Sequence, residues 1–207
     1  MSDLFPDCVL LIFCKAPQLG QVKTRLQPAL TADQAMAAHR VLTRFTLERA
    51  FRQPLSDVRL YCAPDTEHEF FQQCATDYRL TLRLQSGTDL GERMHAAFVE
   101  ALRDYRHAVL IGCDCPSLNV ADLQQAFEAL VKGADVVLGP AEDGGYVLIG
   151  MSQPQPELFA NMPWGSDAVM AETLLRTTTA GIKLHQLPEQ WDVDTVEDWH
   201  RFQILYR

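Results

Sequence analysis

Positive charge is in short supply in this sequence: 18 lysines and arginines stand against 27 aspartates and glutamates, for a net charge of −9. A general nucleic-acid binder, or a protein held to an anionic membrane, needs the opposite balance, so neither partner is expected. The six cysteines, Cys8, Cys14, Cys62, Cys74, Cys113 and Cys115, form no Cys-x-x-Cys pair. No histidines follow them at zinc-finger spacing either. Most lie in apolar runs, where a free thiol behaves as a small hydrophobe, and a reduced, cytoplasmic protein is expected. Long hydrophobic runs are missing too. Val9 to Cys14 is too short to span a bilayer and has no basic segment before it, so neither a secretion signal nor a membrane span is expected. A Gly-Lys-Ser/Thr loop is absent, which excludes a Walker-type phosphate site. With no internal repeat, linker or low-complexity tract, residues 1–207 fit one domain able to bury its own core.

What is present is an alternation of strand and helix signals. Cys8-Val-Leu-Leu-Ile-Phe-Cys14 is continuously apolar, as expected of a strand covered on both faces. It runs into Lys15-Ala-Pro-Gln-Leu-Gly-Gln-Val-Lys-Thr-Arg-Leu26, a loop carrying Gly20 and the cations Lys15, Lys23 and Arg25. Such a loop suits a phosphate, because backbone N–H groups can approach the anion and the cations neutralise it. A solvated basic turn fits equally well. Thr31-Ala-Asp-Gln34 reads as a capping box opening a helix to about Phe51. A strand at Val58–Cys62, a helix at Glu67–Asp77 and an alternating strand at Arg79–Leu84 follow. Gln85 to Met94 turns into a helix expected to reach Tyr105. Within it, Gly87 and Gly91 permit close backbone approach, and Arg93 sits in a first turn where the helix dipole disfavours a cation.

The central stretch is Ala108-Val-Leu-Ile-Gly-Cys-Asp-Cys-Pro-Ser-Leu118, an apolar strand that ends at Gly112 and delivers Asp114 into a loop. In open α/β sheets, ligands sit beyond the carboxyl ends of the strands. A carboxylate there is a suitable hard ligand for magnesium carrying phosphates, or simply a turn and cap residue. Asn119 is placed to cap a helix to about Lys132, closed by Gly133. After a strand at Asp135–Gly139, Glu142 and Asp143 precede Gly144 and Gly145, either a hairpin turn or a wall facing a ligand. Ser166 is expected to cap a helix to Thr177, and Ile182–Leu187 to form the last strand. Asp192 and Asp194 then precede a Thr195/Asp198-capped final helix. They are either helix-dipole acids or further carboxylates for the metal at Asp114. The whole implies an α/β three-layer sandwich around a mostly parallel sheet.

Three motifs together resemble a known family: Lys15 to Leu26, Gly112 to Leu118 (Gly-x-Asp-x-Pro-x-Leu), and Asp143-Gly-Gly-Tyr146. They resemble the nucleotide-diphospho-sugar transferase superfamily with its glycosyltransferase-A type fold. More narrowly, they resemble small bacterial proteins known as domain of unknown function 2064. The resemblance implies that Asp114 is a metal-binding aspartate, that Asp194 is a second ligand with Asp192 as fallback, and that the cofactor is magnesium or manganese. It matches Lys15, Lys23 and Arg25 to phosphate contacts of related nucleotidyltransferases, and Gly87, Gly91 and Arg93 more loosely to a nucleotide pocket. Gly20, Gly144 and Gly145 are carried as ligand-facing backbone, and Glu142 or Asp143 as the group that handles the acceptor hydroxyl. Tyr146 and Trp164 are candidate platforms for a sugar or base. The implied reaction is glycosyl transfer from a nucleotide-diphospho-sugar to a small acceptor, or else nucleotidyl transfer from an NTP with release of pyrophosphate. Two departures stand out: no Gly-Gly pair follows strand one, and Asp-x-Asp is reduced to Asp114-Cys115-Pro116. A nucleotide-binding regulator and a thiol enzyme using Cys113 or Cys115 are the competing classes.

Overall fold

The structure is a computed structural model that describes residues 3–27 and 29–206. Strand β1 (Cys8–Lys15) is buried along all but its last residue. Its alternate side chains enter two separate cores. Leu10, Ile12 and Cys14 pack with Leu47, Phe70, Phe71 and Phe127. Val9, Leu11 and Phe13 pack with Met94, Phe98 and Ala101. That two-sided burial is why the run need not alternate in polarity.

Around β1 the chain builds a seven-stranded sheet of order β3-β2-β1-β4-β6-β5-β7. The remaining strands are β2 (Asp57–Ala63), β3 (Thr81–Leu84), β4 (His107–Ile111), β5 (Val136–Pro140), β6 (Tyr146–Met151) and β7 (Leu184–Gln186). Among the described residues only β6 runs antiparallel to its neighbours, so residues 141–145 close a β5–β6 hairpin. The helices are α1 (Ala32–Ala50), α2 (Glu69–Tyr78), α3 (Leu90–Ala101), α4 (Val120–Val131), α5 (Val169–Ala180) and α6 (Val196–Leu205). Residues of α1, α2 and α4 cover one face of the sheet and residues of α3 and α5 the other, which completes the three layers.

The capping signals were legible. Thr31/Gln34, Asn119/Asp122 and Thr195/Asp198 all form reciprocal capping boxes, each satisfying donors that the first helical turn leaves free. Two expectations are corrected. Helix α3 ends at Ala101 rather than Tyr105, because the bonds beyond Leu102 tighten to the three-residue pattern, Arg103 N–H to Glu100 O (3.3 Å) and Asp104 N–H to Ala101 O (3.1 Å). Ser166 does not cap α5, which begins at Val169 behind Ala168 with no side-chain cap. The Ser166 hydroxyl is instead donated to the Pro163 carbonyl, closing the preceding turn.

The segment before α6 crosses the carboxyl ends of the strands and is fastened there. Gln190 N–H donates to Pro140 O, Val193 N–H donates to Asp114 O (2.9 Å), and Ala141 pairs with Gln190. Ser117 supplies one hydroxyl to both sides of Trp191: it donates to the carbonyl at 2.9 Å and accepts from the N–H at 2.8 Å. Ser117→Ala would strand the Trp191 N–H and leave its carbonyl only the weaker Cys115 thiol donor at 3.3 Å, so a loss of about 2 kcal/mol in chemical denaturation is expected. An unchanged midpoint would contradict this anchoring role.

Candidate functional site at the carboxyl ends of β1 and β4

Asp114 reaches the site because Gly112 leaves room for it: a Cβ on Gly112 would lie 2.9 Å from Asp114 Oδ1. Its partner comes from the basic loop. Lys23 takes a left-handed backbone conformation (φ 47°, ψ 41°), which few non-glycine residues adopt. From there its ammonium donates to Asp114 Oδ2 at 2.7 Å, Val193 O at 2.5 Å and Asp194 Oδ1 at 3.5 Å. Arg25 closes the other side of Asp194, with Nη1 2.6 Å from Oδ2. Residues 114 and 194, eighty positions apart, therefore share one ammonium group. The Lys23 side chain is only 7 % exposed, whereas both aspartates are 34 % exposed and face a cavity.

The electrostatics follow from that arrangement. Burial would lower the Lys23 pKa, but Asp114 and Asp194 more than offset it, and the ammonium is held above the ordinary lysine range. Burial would likewise push the Asp114 carboxyl up, yet Lys23 overrides it and holds the group below the usual carboxylate range. Asp192 goes the other way, pushed up to about 7 by burial and by Asp114, Asp194 and Asp143. Burial also lowers the His39 pKa, which leaves a neutral imidazole near neutral pH.

Two cavities meet at Asp114. The first, of about 250 Å³, is lined by Lys15, Lys23, Arg25, Thr24, His39 and Asp194 together with Asp114. The second, of about 150 Å³, has apolar walls from Phe13, Leu90, Met94 and Leu148, with Tyr146, Asp192 and Asp114 supplying its polar atoms. Asp143, Asp192 and Asp194 bring carboxylate oxygens within 4.8 Å of one another. Hard oxygen donors of this kind match magnesium or manganese.

The other sequence candidates fall in different places. Gly20 (φ 72°) shapes the basic loop without lining either cavity. Gly87, Gly91 and Arg93 line neither cavity at Asp114. Gly87 folds onto the start of α3, and Arg93 Nε donates to its carbonyl at 3.1 Å. Gly91 is the seat of Trp164: a Cβ there would lie 2.8 Å from the indole Nε1 and from Phe159 O. Trp164 meets Tyr146 edge-on, with ring centroids 6.3 Å apart. Gly144 (φ 86°) abuts the Asp167 backbone, and Gly145 N–H donates to Asp143 Oδ1 at 2.9 Å. Both acids of that hairpin are exposed, but Glu142 is engaged by Arg201 at 3.1 Å, whereas Asp143 is held by the Gly145 N–H. His39, Phe13, Leu90 and Met94 were not singled out from the sequence. His39, Phe13 and Met94 sit on an apolar helix face or strand, where core packing is the ordinary fate, and Leu90 is an exposed apolar residue at the start of α3.

The family described as "Uncharacterized protein conserved in bacteria (DUF2064)" matches residues 46–166. Among solved structures, a candidate nucleotide-diphospho-sugar transferase from Desulfovibrio desulfuricans G20 is 32% identical. That match covers 98% of this chain and 87% of that one, with a TM-score of 0.86. The chain belongs to the DUF2064 family. More distantly, 4-diphosphocytidyl-2C-methyl-D-erythritol synthase from Anaerococcus prevotii DSM 20548 shares the fold at 12% identity (TM-score 0.60; 99% and 100% of the two chains). So does CMP:2-keto-3-deoxy-manno-octonic acid synthetase complexed with CTP, at 12% identity (TM-score 0.61; 96% and 97%). No curated protein matches the sequence. The fold is thus that of the nucleotide-diphospho-sugar transferases. Among the described residues, no helix is long and apolar enough to cross a membrane.

The raised Asp192 pKa has a stability consequence. Its folded-state value, about 7, lies above the unfolded carboxylate value, so the native state holds this proton more tightly. The stability contribution is therefore lost as pH rises through that window. Asp192→Asn removes the penalty. In chelator-treated buffer the variant is expected to be about 2 kcal/mol more stable than the parent near pH 8, an advantage that shrinks toward pH 4. A difference that does not vary with pH in denaturation curves would contradict the assignment.

Proposed function

We propose that the protein is a transferase that uses a nucleotide-activated donor, with donor phosphates in the cationic cavity and the acceptor presented from the far side of Asp114. The observation that carries this reading is the junction itself. Lys15, Lys23 and Arg25 converge on one cavity whose Asp114 wall also bounds an apolar cavity. The reaction is glycosyl transfer from a nucleotide-diphospho-sugar to a small acceptor, within a single domain. The acceptor oxygen forms the new bond to the anomeric carbon, the sugar–phosphate bond breaks, and nucleoside diphosphate leaves.

In this reading Lys15 and Arg25, both exposed, bind the donor phosphates. Arg25 supplies a planar fork of N–H donors that a lysine cannot. Lys23 keeps Asp114 and Asp194 ionised and together. Asp143, held by Gly145 N–H, receives the acceptor proton, since Glu142 is committed to Arg201. Asp114, Asp194 and Asp192 are the residues to hold magnesium or manganese, which supplies Lewis-acid neutralisation of the phosphate charge when bound. Nucleotidyl transfer is the second reading. It is favoured by the three cations around the cavity, a number suited to a triphosphate.

Incubation with magnesium and parallel panels of nucleotide sugars and NTPs tests the choice. Nucleoside diphosphate release from a nucleotide sugar is expected, with Arg25→Ala lowering kcat/KM by about 10–100-fold. Pyrophosphate release from an NTP would replace the first reading by the second. Turnover of neither panel, across broad acceptors, would contradict both.

A further inference from the structure

One buried cluster has no part in this chemistry. The register of β1 with β4 pairs Ile12 with Ile111, and two residues further on Cys14 comes to lie beside Cys113. His39, on the inward face of α1, completes the group. The two Sγ atoms and a ring nitrogen lie within 4.8 Å of one another, and all three residues are buried. Cys14 Sγ is 3.8 Å from His39 Nε2. Tetrahedral zinc with Zn–S of about 2.3 Å and Zn–N of about 2.0–2.1 Å separates its donors by roughly 3.6–3.8 Å. The Cys14–His39 pair already has that spacing, and the other two pairs lie within 4.8 Å.

We infer that Cys14, His39 and Cys113 form a site for a borderline-soft divalent cation of the zinc class, set beneath the cationic cavity. The donor chemistry separates it from the carboxylate group above it, since thiolate and imidazole select zinc or cobalt over magnesium. The charges balance as well: two thiolates and a neutral imidazole cancel a dication, so nothing is added beside Lys23. Binding breaks two S–H bonds, forms two S–metal bonds and releases two protons to solvent. His39 Nε2 carries the hydrogen it donates to Lys15 O at 2.8 Å, so binding the metal at Nε2 gives up that bond and leaves the single ring proton on Nδ1, the other neutral tautomer. That same carbonyl lies 3.4 Å from Cys14 Sγ, so an oxygen donor already borders the two ligands. His39 also lines the first cavity, which gives the ion a way in. The site lies between Lys15 and Asp114 in the fold, each adjacent in sequence to one of its thiols.

The test is cobalt titration of the reduced, chelator-stripped full chain, read by absorption spectroscopy, and it needs no turnover. The expected result is one equivalent of Co²⁺ with thiolate-to-cobalt charge transfer, displaced by equimolar Zn²⁺ but not by excess Mg²⁺. Cys14→Ser and Cys113→Ser should each weaken cobalt binding by about 100-fold or more. Cys8→Ser, at the other end of β1, and Asp194→Asn should leave the spectrum intact. Absence of charge transfer in the unsubstituted protein under excess cobalt would overturn the site, whatever the variants do. So would a band that survives both cysteine substitutions.

Discussion

The arrangement depends on a single ammonium group. Two aspartates eighty residues apart would repel one another at the carboxyl end of the sheet, yet Lys23 lies within 3.5 Å of both. A charge this deeply placed costs several kcal/mol unless it is paired and fully hydrogen-bonded. Lys23 meets that condition by donating to Asp114, Asp194 and the Val193 carbonyl. The positive φ at Lys23 is part of the same constraint, since it turns the loop so that the side chain enters the sheet end while Arg25 stays at the surface. Main-chain bonds hold the far side. Val193 N–H to Asp114 O fixes the separation of the two acidic segments independently of any charge.

From that constraint the two cavities follow. Asp114 forms a partition, with cations on one side and apolar walls plus Asp192 on the other. Lys23 neutralises Asp114, but Asp192 makes no ion pair among the described residues and rises to about 7. Within the acidic group of residues 143, 192 and 194, Asp194 is paired with Lys23 and Arg25, whereas the repulsion at Asp192 is relieved by a proton near neutral pH, a role a bound dication would take over. The site gathers the loops after β1, β4 and β5 with the strap before α6, at the strand ends where parallel sheets place their ligands.

Much of the fold could be read from local pattern because its causes are local. An unbroken apolar run told that β1 is covered twice, and the boxes at Thr31, Asn119 and Thr195 located three helix starts to the residue. Asp114 stood out as an acid delivered by the end of an apolar strand, and the family resemblance set Asp194 beside it, although turn, cap and helix-dipole roles fitted both equally. What stayed hidden depends on partners distant in sequence. Gly91 reads as room for a ligand, and only the packed chain reveals Trp164 filling that space. Ser166 has cap chemistry, but α5 starts three residues beyond it, so its oxygen reaches only the Ala168 N–H, at 3.4 Å. His39 carries no sequence signal, since a histidine on the apolar face of a long helix reads as core until residues 14, 23 and 113 are folded around it.

The most direct measurement is a double-mutant cycle on Lys23→Met and Asp114→Asn, followed by urea denaturation at neutral pH. If one ammonium group holds the acidic site together, the two losses will fall short of additivity by about 2 kcal/mol or more, because the second substitution removes a charge that the first left unpaired. Additive losses, agreeing within about 0.5 kcal/mol, would mean that the two groups do not depend on each other, and would contradict the central claim.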